Sequence, residues 1–455
     1  MRKIWRSHGR YKLPKFSSKN SLKFSFMRHS GNTRRLHVFW KHAAVARCRS
    51  IFESTMRSRM VAWTAGLGMV GGAVWAVAET KHQLSWGMWS APPLDEPPAH
   101  ISFCILRDQI PALPKSKRGP EGRFVLDKRQ FPDAEVESPG FSTIWKWRST
   151  CPANPVMSLE EIQRELPVLI PSQEALAHPP ADKMQVTWLG HASVLTQWDK
   201  WNVLFDPIFS ERCSPTQLLG PRRLQAPPLL AHQLPHIDVI CISHDHFDHL
   251  DLHTAQELAA RRPSPIWLVP LGLKSWLQES RVHNVIELDW SDQIEIVDSS
   301  GVRREALKLS CLPCQHWCAR NLFDINKTLW ASWMCSTPRF SFYFGGDTGY
   351  CPMFEKVGRA LGSPDVAAIP IGSYGALPEV WFHRPNHMNP EEAVQCHLDL
   401  RARRSVAIHW GTWQLTAEHP LEPRQRLQNV CRDRGLGAEA FECLKHGETR
   451  CYDHR

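Results

Sequence analysis

The chain has 455 residues, 42% of them hydrophobic and 22% charged, a balance typical of a globular protein with a sizeable core. This composition excludes a wholly disordered chain, a collagen-like chain and a protein of many membrane spans. The net charge of +10 lies at the N-terminus: residues 1–60 hold 16 Lys and Arg against one acid, Glu53, whereas the other 395 residues carry 39 basic and 44 acidic side chains. Because the body is mildly acidic, no nucleic-acid partner is predicted.

Residues 1–59 form a basic leader. No Asp or Glu precedes Glu53, and Arg, Lys, Ser and His are frequent, which is typical of an organellar transit peptide. A disordered basic arm is the alternative interpretation.

Residues 60–79 are predicted to be a transmembrane segment. The run from Met60 to Ala78 is 19 residues without a charge, and a helix of that length spans roughly 28 Å, about one hydrocarbon core. A cleaved signal h-region or a buried helix is the alternative. Arg57 and Arg59 place the N-terminal side in the positive-inside compartment. With the leader, the segment favours the mitochondrial inner membrane, and an endomembrane anchor is the alternative location.

Residues 80–157 are Pro-rich and irregular, which predicts a linker or wrapping arm. Ser158 and Glu161 match a capping box and predict a short helix, at which the main domain, residues 158–455, begins. Beyond residue 184, apolar strand-like runs alternate with helical stretches, so an α/β fold is predicted. The predicted strands are 186–189, 203–205, 237–243, 266–269, 306–312, 340–344, 366–371 and 405–408, and the predicted helices include 253–261 and 390–403.

A dense cluster of metal-binding residue types follows the predicted strand 237–243. His244 and His246 can turn both imidazoles to one side of a tight loop, and Asp248 and His249 then reach a second position beside the first. Zinc readily takes His nitrogen and carboxylate oxygen. The loop therefore offers ligands for two metal ions.

Three further candidate ligands each come shortly after an apolar strand. They are His316, Asp347 within a Gly-Gly-Asp-Thr-Gly stretch, and His409. Loops converge at this end of the strands in an α/β layer, so we expect the three side chains to join the same cluster.

The order HxHxDH, single His, GDTG and late His resembles the motif series of the metallo-β-lactamase fold. At a finer scale the chain resembles the N-acylphosphatidylethanolamine-hydrolysing phospholipase D family, from about residue 158 to residue 450. The stretches that carry this resemblance are VTWLGHASVL, DPIFSERCSP, GPRR, ISHDHFDHLD, VPLGL, NVIELDW, QHWCAR, FGGDTGYCPMFE, AAIPIGSY, NPEEAV and AIHWGTW.

The resemblance implies a four-layer αβ/βα sandwich with two Zn²⁺ per chain in the cleft between the sheets. It implies two groups of ligands bridged by one carboxylate: His244, His246 and His316 for one ion, Asp248, His249 and His409 for the other, and Asp347 between them. It also implies a phospholipase D-type phosphodiesterase, in which a hydroxide shared by the ions attacks the phosphorus of a membrane phospholipid, N-acylphosphatidylethanolamine. The products would be N-acylethanolamine and phosphatidic acid. Family members often form homodimers, so a homodimer is expected on the same ground.

Asp248 and His387 are the catalytic residues that the resemblance implies, His387 as a donor to the leaving oxygen. Arg320, Asn386 and Gln217 are predicted substrate contacts, with Arg320 pairing to phosphate. The alternatives are a capped helix start for residues 386–392 and a surface cation for Arg320.

The chain departs from the family pattern at the metal loop, which reads His-Asp-His-Phe where relatives often have His-Asn-His-Tyr, and at a longer loop after Gly375. The second departure leaves acyl and head-group preference open. A leucine- and arginine-rich stretch is predicted to form an apolar cleft mouth suited to an anionic membrane, with a Pro-rich core loop as the alternative. It comprises Leu218, Leu219, Arg222, Arg223, Leu224, Leu229 and Leu230.

Two other functions remain open from the sequence. One is a hydrolase of the same fold acting on another phosphodiester or a thioester, such as a nuclease or lactonase, and the other is a non-catalytic membrane protein. The acidic body disfavours a nuclease, and the presence of all seven ligand residues disfavours a non-catalytic role.

Overall fold

A computed structural model describes residues 100–134, 146, 149, 154–303, 305–321, 323–377 and 379–454. The predicted basic leader and the predicted transmembrane segment 60–79 lie outside the described residues. Among the residues that are described, no helix is both long and apolar enough to cross a membrane.

Two sheets form the centre of the described domain. The strands are β1 (Ile101–Leu106), β2 (Lys117–Arg118), β3 (Phe124–Val125), β4 (Lys183–Gly190), β5 (Ser193–Trp198), β6 (Trp201–Phe205), β7 (Val239–Cys241), β8 (Ile266–Pro270), β9 (Val285–Leu288), β10 (Gln293–Asp298), β11 (Leu307–Leu312), β12 (Ser332–Ser336), β13 (Ser341–Phe344), β14 (Val366–Pro370), β15 (Arg404–Ile408), β16 (Phe441–Glu442) and β17 (Thr449–Asp453). One sheet has the order β1-β10-β11-β12-β13-β14-β15-β16, and the other has the order β17-β4-β5-β6-β7-β8-β9. Strands β2 and β3 pair separately as a short ribbon.

The helices connect and cover these strands. They are α1 (Leu159–Glu165), α2 (Gln173–Ala177), α3 (Leu252–Ala259), α4 (Lys274–Glu279), α5 (Met353–Leu361), α6 (Val380–His383), α7 (Pro390–Asp399) and α8 (Glu422–Asp433), with a 3₁₀ turn at Ala231–Gln233. The predicted capping box is confirmed, since the Ser158 hydroxyl accepts from the Glu161 amide and the Glu161 carboxylate accepts from the Ser158 amide. Helix α7 begins at the Asn389 cap, as the Asn-Pro-Glu-Glu sequence predicts.

The alternation of side chains along β7 explains the two largest apolar clusters of the described residues. Val239 and Cys241 belong to the large apolar cluster that contains strands of both sheets. Ile240 and Ile242 point the other way, into a cluster with Leu258 of α3 and neighbouring residues. Both faces of the strand are therefore buried, which accounts for its near-continuous apolar sequence. The result is the predicted order of layers, with helices outside two packed sheets.

The structure differs from the sequence-based boundaries at several points. Ile101–Leu106, within the predicted linker 80–157, forms an edge strand antiparallel to β10, with Ile101 opposite Asp298. Phe124 and Phe131 of the same stretch are buried in the main core, so part of it belongs to the folded domain. Helix α7 ends at Asp399, short of the predicted residue 403, because Arg401 takes a left-handed conformation with φ 55°.

His397 of α7 makes folding stability depend on pH. Its imidazole is buried, its Nδ1 lies 2.8 Å from Ser405 Oγ, and burial lowers its pKa to about 4. Because the folded-state pKa lies below the unfolded value, His397 contributes stability above about pH 6.5 that is lost as the pH falls toward 4. The free energy of unfolding should fall between pH 7.5 and pH 5 in both proteins. The fall should be about 2 kcal/mol smaller in His397→Phe than in the wild type. Urea unfolding at the two pH values measures this, and identical losses in both proteins would contradict it.

Candidate metal centre

The candidate ligands come together at one edge of the two sheets. Strands β6, β7 and β8 run parallel in one sheet, and β13, β14 and β15 run parallel in the other. The residues that follow β7, β11, β13 and β15 therefore meet at the carboxyl ends of the strands. The structure brings together all seven predicted ligands there, and His387 lies beside them.

The first group consists of His244, His246 and His316. The Nδ1 atom of His246 lies 2.8 Å from His244 Nε2 and 3.2 Å from His316 Nε2. Two of the rings are also contacted at their other nitrogen: Ser243 Oγ is 2.9 Å from His244 Nδ1, and the Asn386 carbonyl oxygen is 3.1 Å from His316 Nδ1. Such outer contacts set the ring orientation of metal-binding histidines. Three nitrogens thus converge on one position.

The second group consists of Asp248, His249 and His409. Asp248 Oδ2 lies 3.4 Å from His409 Nε2 and 3.7 Å from His249 Nε2. The far nitrogen of His249, Nδ1, lies 2.7 Å from Asp206 Oδ2, so that ring is also oriented by a buried partner.

Asp347 lies between the two groups. Its Oδ2 atom is 3.1 Å from His409 Nε2 and 3.2 Å from His249 Nε2, and it is 3.8 Å from His316 Nε2 and 4.0 Å from His244 Nε2. One carboxylate oxygen therefore approaches nitrogens of both groups, as a bridging ligand requires.

The donor set fits divalent metal ions. His249 Nε2, His409 Nε2 and Asp347 Oδ1 are buried, and none of them makes a hydrogen bond of good geometry with the described residues, although Asp347 Oδ2 lies 3.2 and 3.1 Å from the two nitrogens. Buried polar atoms seldom remain unpaired, and a cation among them would satisfy all three. The mixture of imidazole and carboxylate suits zinc and also iron or manganese.

The protonation of the cluster agrees with cation binding. Burial lowers the pKa of His316 to about 3, so its imidazole is neutral, which is the form that coordinates a metal. Burial by itself would lower the pKa of His409 too, but Asp347 and Asp248 outweigh it and raise the pKa to about 9. The carboxylates thus favour a positive charge at this position, and a metal ion would supply it in place of the proton.

Two residues of the site escaped the sequence analysis. Asp206 is fully buried and accepts hydrogen bonds from the Ser243 amide and the Ser243 hydroxyl besides contacting His249. His191 is buried with Nε2 2.9 Å from Asp248 Oδ2. Both lie in stretches that carried the family resemblance, DPIF and GHAS, and this was the available signal.

The predicted substrate residues lie in different settings. The Arg320 guanidinium donates to the carbonyl oxygens of Asp245, at 2.7 Å, and Leu250, at 2.9 Å. Its planar group also stacks on Phe247 and Trp276. These contacts make Arg320 a clamp across the metal loop. The sequence analysis predicted a phosphate contact or a surface cation and did not foresee this role.

Asn386 contacts the site through its own backbone, whereas the Gln217 side chain contacts the backbone of another residue. The Asn386 carbonyl supports His316, as described above, so the backbone of this residue belongs to the site. Gln217 is exposed, and its amide exchanges hydrogen bonds with the backbone of Arg212 at 2.9 and 3.0 Å. Contact of either side chain with substrate remains a prediction.

His387 lies beside the bridging carboxylate. Its Nδ1 is 3.7 Å from Asp347 Oδ2, and its ring centroid is 5.3 Å from that of His316 and 5.4 Å from that of His409. Burial holds the pKa of His387 well below its ordinary value, so the ring is neutral.

Comparison with known proteins gives a class and then a family. A family model described as a β-lactamase superfamily domain matches residues 201–410, and with the sandwich and the His/Asp cluster it defines a metal-dependent hydrolase fold. N-acyl-phosphatidylethanolamine-hydrolyzing phospholipase D 1 of Caenorhabditis elegans is 41% identical over 270 residues, which are 58% of this chain and 74% of that protein. The chain therefore belongs to the N-acylphosphatidylethanolamine-hydrolysing phospholipase D family.

A second relative and two solved structures are similar over about the same share of this chain. The mitochondrial N-acyl-phosphatidylethanolamine-hydrolyzing phospholipase D of Saccharomyces cerevisiae is 34% identical over 270 residues, 59% of this chain and 56% of that protein. Among solved structures, isothiocyanate hydrolase from Delia radicum gut bacteria matches 59% of this chain and 99% of its own, with 19% identity and a TM-score of 0.46. The metallo hydrolase Igni18 of Ignicoccus hospitalis matches 60% of this chain and 100% of its own, with 20% identity and a TM-score of 0.44.

Proposed function

We propose that the protein is a zinc-dependent phosphodiesterase that hydrolyses N-acylphosphatidylethanolamine to N-acylethanolamine and phosphatidic acid. The observation that carries the proposal is the position of Asp347 Oδ2, within 4.0 Å of nitrogens from both ligand groups, in a chain of this family. Two Zn²⁺ ions are the proposed cofactors, with the ligand groups and the bridge that the family resemblance implies.

Two metal ions, held by the two ligand groups with Asp347 between them, would supply two kinds of chemistry, a lowered pKa for water and neutralisation of phosphoryl charge. The residues that would hold and orient these ions come from both sheets. In the overall reaction a water oxygen bonds to phosphorus, the bond from phosphorus to the ethanolamine oxygen breaks, and a proton passes to that leaving oxygen. Asp248 would take part as a carboxylate ligand of one ion, together with His249 and His409.

His387 is the proposed donor to the leaving oxygen. Its ring lies next to Asp347, on the side where α7 begins, and it is neutral because burial lowers its pKa. A neutral imidazole donates a hydrogen bond from one nitrogen, which stabilises negative charge as it develops on the alkoxide. Arg320 contributes by holding the metal loop through Asp245 and Leu250.

Access to a lipid substrate requires contact with a membrane surface. Leu218 and Leu219 are 84% and 62% exposed, and Arg222 lies close to them in the chain. Leu229, which the sequence placed on the same surface, is instead buried against Ile237 and its neighbours, and Leu224 packs on the main core. We therefore restrict the proposed membrane contact to the tip around Leu218, Leu219 and Arg222, where apolar and cationic groups suit an anionic lipid surface.

Attachment to the mitochondrial inner membrane is the proposed location, with an endomembrane anchor as the alternative. The acid-free leader and the uncharged run 60–78 support it, and the yeast relative is named as mitochondrial. A fluorescent protein fused after residue 82 should stain mitochondria and resist carbonate extraction. Endomembrane staining would contradict the proposed location. A homodimer is proposed on the family resemblance, and light scattering in detergent measures it.

Product analysis tests the reaction itself. The full-length chain in mixed micelles containing N-acylphosphatidylethanolamine should release N-acylethanolamine and phosphatidic acid, as measured by mass spectrometry. In ¹⁸O-water the label should enter phosphatidic acid and not N-acylethanolamine, because attack occurs at phosphorus. A metal chelator should abolish turnover, and added Zn²⁺ should restore it.

The same preparation separates the alternatives. Suppose that the protein binds two metal ions and hydrolyses a model phosphodiester or thioester, but does not hydrolyse the phospholipid. That result would support the metal centre and reject the proposed substrate. A protein that binds no metal would reject the proposed function altogether.

A further inference from the structure

His191 is a buried histidine outside both proposed ligand groups. It lies in the two-residue turn between β4 and β5, at the same edge of the sheets as the metal centre. Its backbone has φ 51°, the left-handed region, which costs a non-glycine residue about 1 kcal/mol or more. Contacts of this residue must therefore offset the cost of its backbone conformation.

The backbone of His191 ties the two sheets together next to the second ligand group. Its amide donates to Thr412 Oγ1 at 2.6 Å, and its carbonyl accepts from the His409 amide at 2.9 Å. Strand β4 belongs to one sheet, and His409 follows β15 of the other. The position of His409 therefore depends on the conformation of the His191 turn.

The side chain of His191 contacts the same group from the other side. Nε2 lies 2.9 Å from Asp248 Oδ2, and the ring centroid is 4.0 Å from that of His409. Trp413 packs edge-on against the ring, with centroids 4.9 Å apart, and limits its rotation. With Nε2 protonated, the imidazole donates to one oxygen of Asp248 and fixes the direction of the carboxylate.

We propose that His191 is a positioning residue for the second metal ion, orienting Asp248 through its imidazole and His409 through its backbone. This proposal rests on the proposed metal centre. Hydrogen bonds to a ligand carboxylate typically change metal affinity about 10- to 100-fold when they are removed. The nearby nitrogen also makes His191 a candidate direct ligand, because it groups with Asp248, His249 and His409 within 4.8 Å. The donated hydrogen bond at 2.9 Å favours orientation, and the two roles respond differently to substitution.

Zinc binding to the full-length chain in detergent distinguishes the roles. His191→Gln keeps an amide donor near the position of Nε2, whereas His191→Phe keeps the ring shape and removes the donor. Zn²⁺ affinity is measured by competition with a chromophoric chelator, and metal content is measured after dialysis. His397→Phe, the same replacement of a buried neutral histidine away from the centre, is the matched control.

The control should bind two zinc ions, each with the same affinity as in the wild type. His191→Phe should bind the first ion normally and the second about 10- to 100-fold more weakly, and His191→Gln should stay within about threefold of the wild type. Equal weakening by Phe and Gln would make His191 a ligand and overturn the positioning role. Unchanged affinity in His191→Phe, or an equal loss in the control, would overturn it too. A wild type without zinc would reject the metal centre and this inference together.

Discussion

The substitution Asp347→Asn should lower turnover by about three orders of magnitude or more, equivalent to about 4 kcal/mol of transition-state stabilisation. The reason is the position of Asp347 Oδ2 between the two ligand groups, 3.1 Å from His409 Nε2 and 3.8 Å from His316 Nε2. Burial raises the pKa of Asp347, but His249 and His409 outweigh burial and hold the pKa well below its ordinary value, so the native bridge is anionic. An amide has no negative charge with which to join two cations.

The variant should still fold, because Asp and Asn have nearly the same volume and the apolar cluster shared by the two sheets is unchanged. Circular dichroism and a cooperative thermal transition check this. Its zinc content should fall below two ions per chain. Asp365→Asn is a matched control: Asp365 is also buried, but it accepts from Ser341 at the opposite end of β14, so turnover should stay near the wild-type value. Wild-type turnover in Asp347→Asn would reject the two-metal assignment.

Gly349→Ala should destabilise the protein by about 3 kcal/mol and also impair turnover. A Cβ atom at Gly349 would lie 2.2 Å from the Pro385 carbonyl oxygen and 2.8 Å from Gln315 Nε2. The first neighbour is backbone, so relief requires moving a chain segment. That segment leads to His387, and Gly349 itself comes two residues after Asp347, so the clash should separate a metal ligand from the proposed donor.

Chemical denaturation measures the loss of stability, and turnover at saturating zinc measures the effect on the site. Gly437→Ala is the control, because a Cβ there meets nothing within 4 Å and the backbone is not left-handed. It should change stability by less than about 0.5 kcal/mol. If Gly349→Ala were as stable and active as Gly437→Ala, the close approach of the 349 and 385 segments would be wrong.

Some contacts of the site were beyond sequence reasoning because they join residues far apart in the chain. Asp206 supports His249 from 43 positions away, and His191 contacts Asp248 across 57. Neither residue has the local clustering that marks a metal loop. Arg320 shows the same limit, since its role as a clamp on Asp245 and Leu250 depends on a fold that brings together residues 70 or more positions apart.

Burial in loops was another property that the sequence left undetermined. Leu218 and Leu229 look alike in a Pro-rich stretch, yet Leu218 is exposed and Leu229 is buried. The edge strand Ile101–Leu106 was also missed: its sequence is mostly apolar, but it lies in a Pro-rich stretch, and only its pairing with β10 shows that it belongs to the sheet.

What the sequence determined by itself is the α/β alternation, the caps of α1 and α7 and the set of candidate ligands. These follow from short-range patterns: strand and helix periodicity, capping residues, and histidines spaced within one loop or placed directly after apolar strands. The tertiary structure alone decided which atoms face one another. It placed one oxygen of Asp347 between two ligand groups and set Asp206 and His191 behind them, because these distances depend on how two separate sheets pack together.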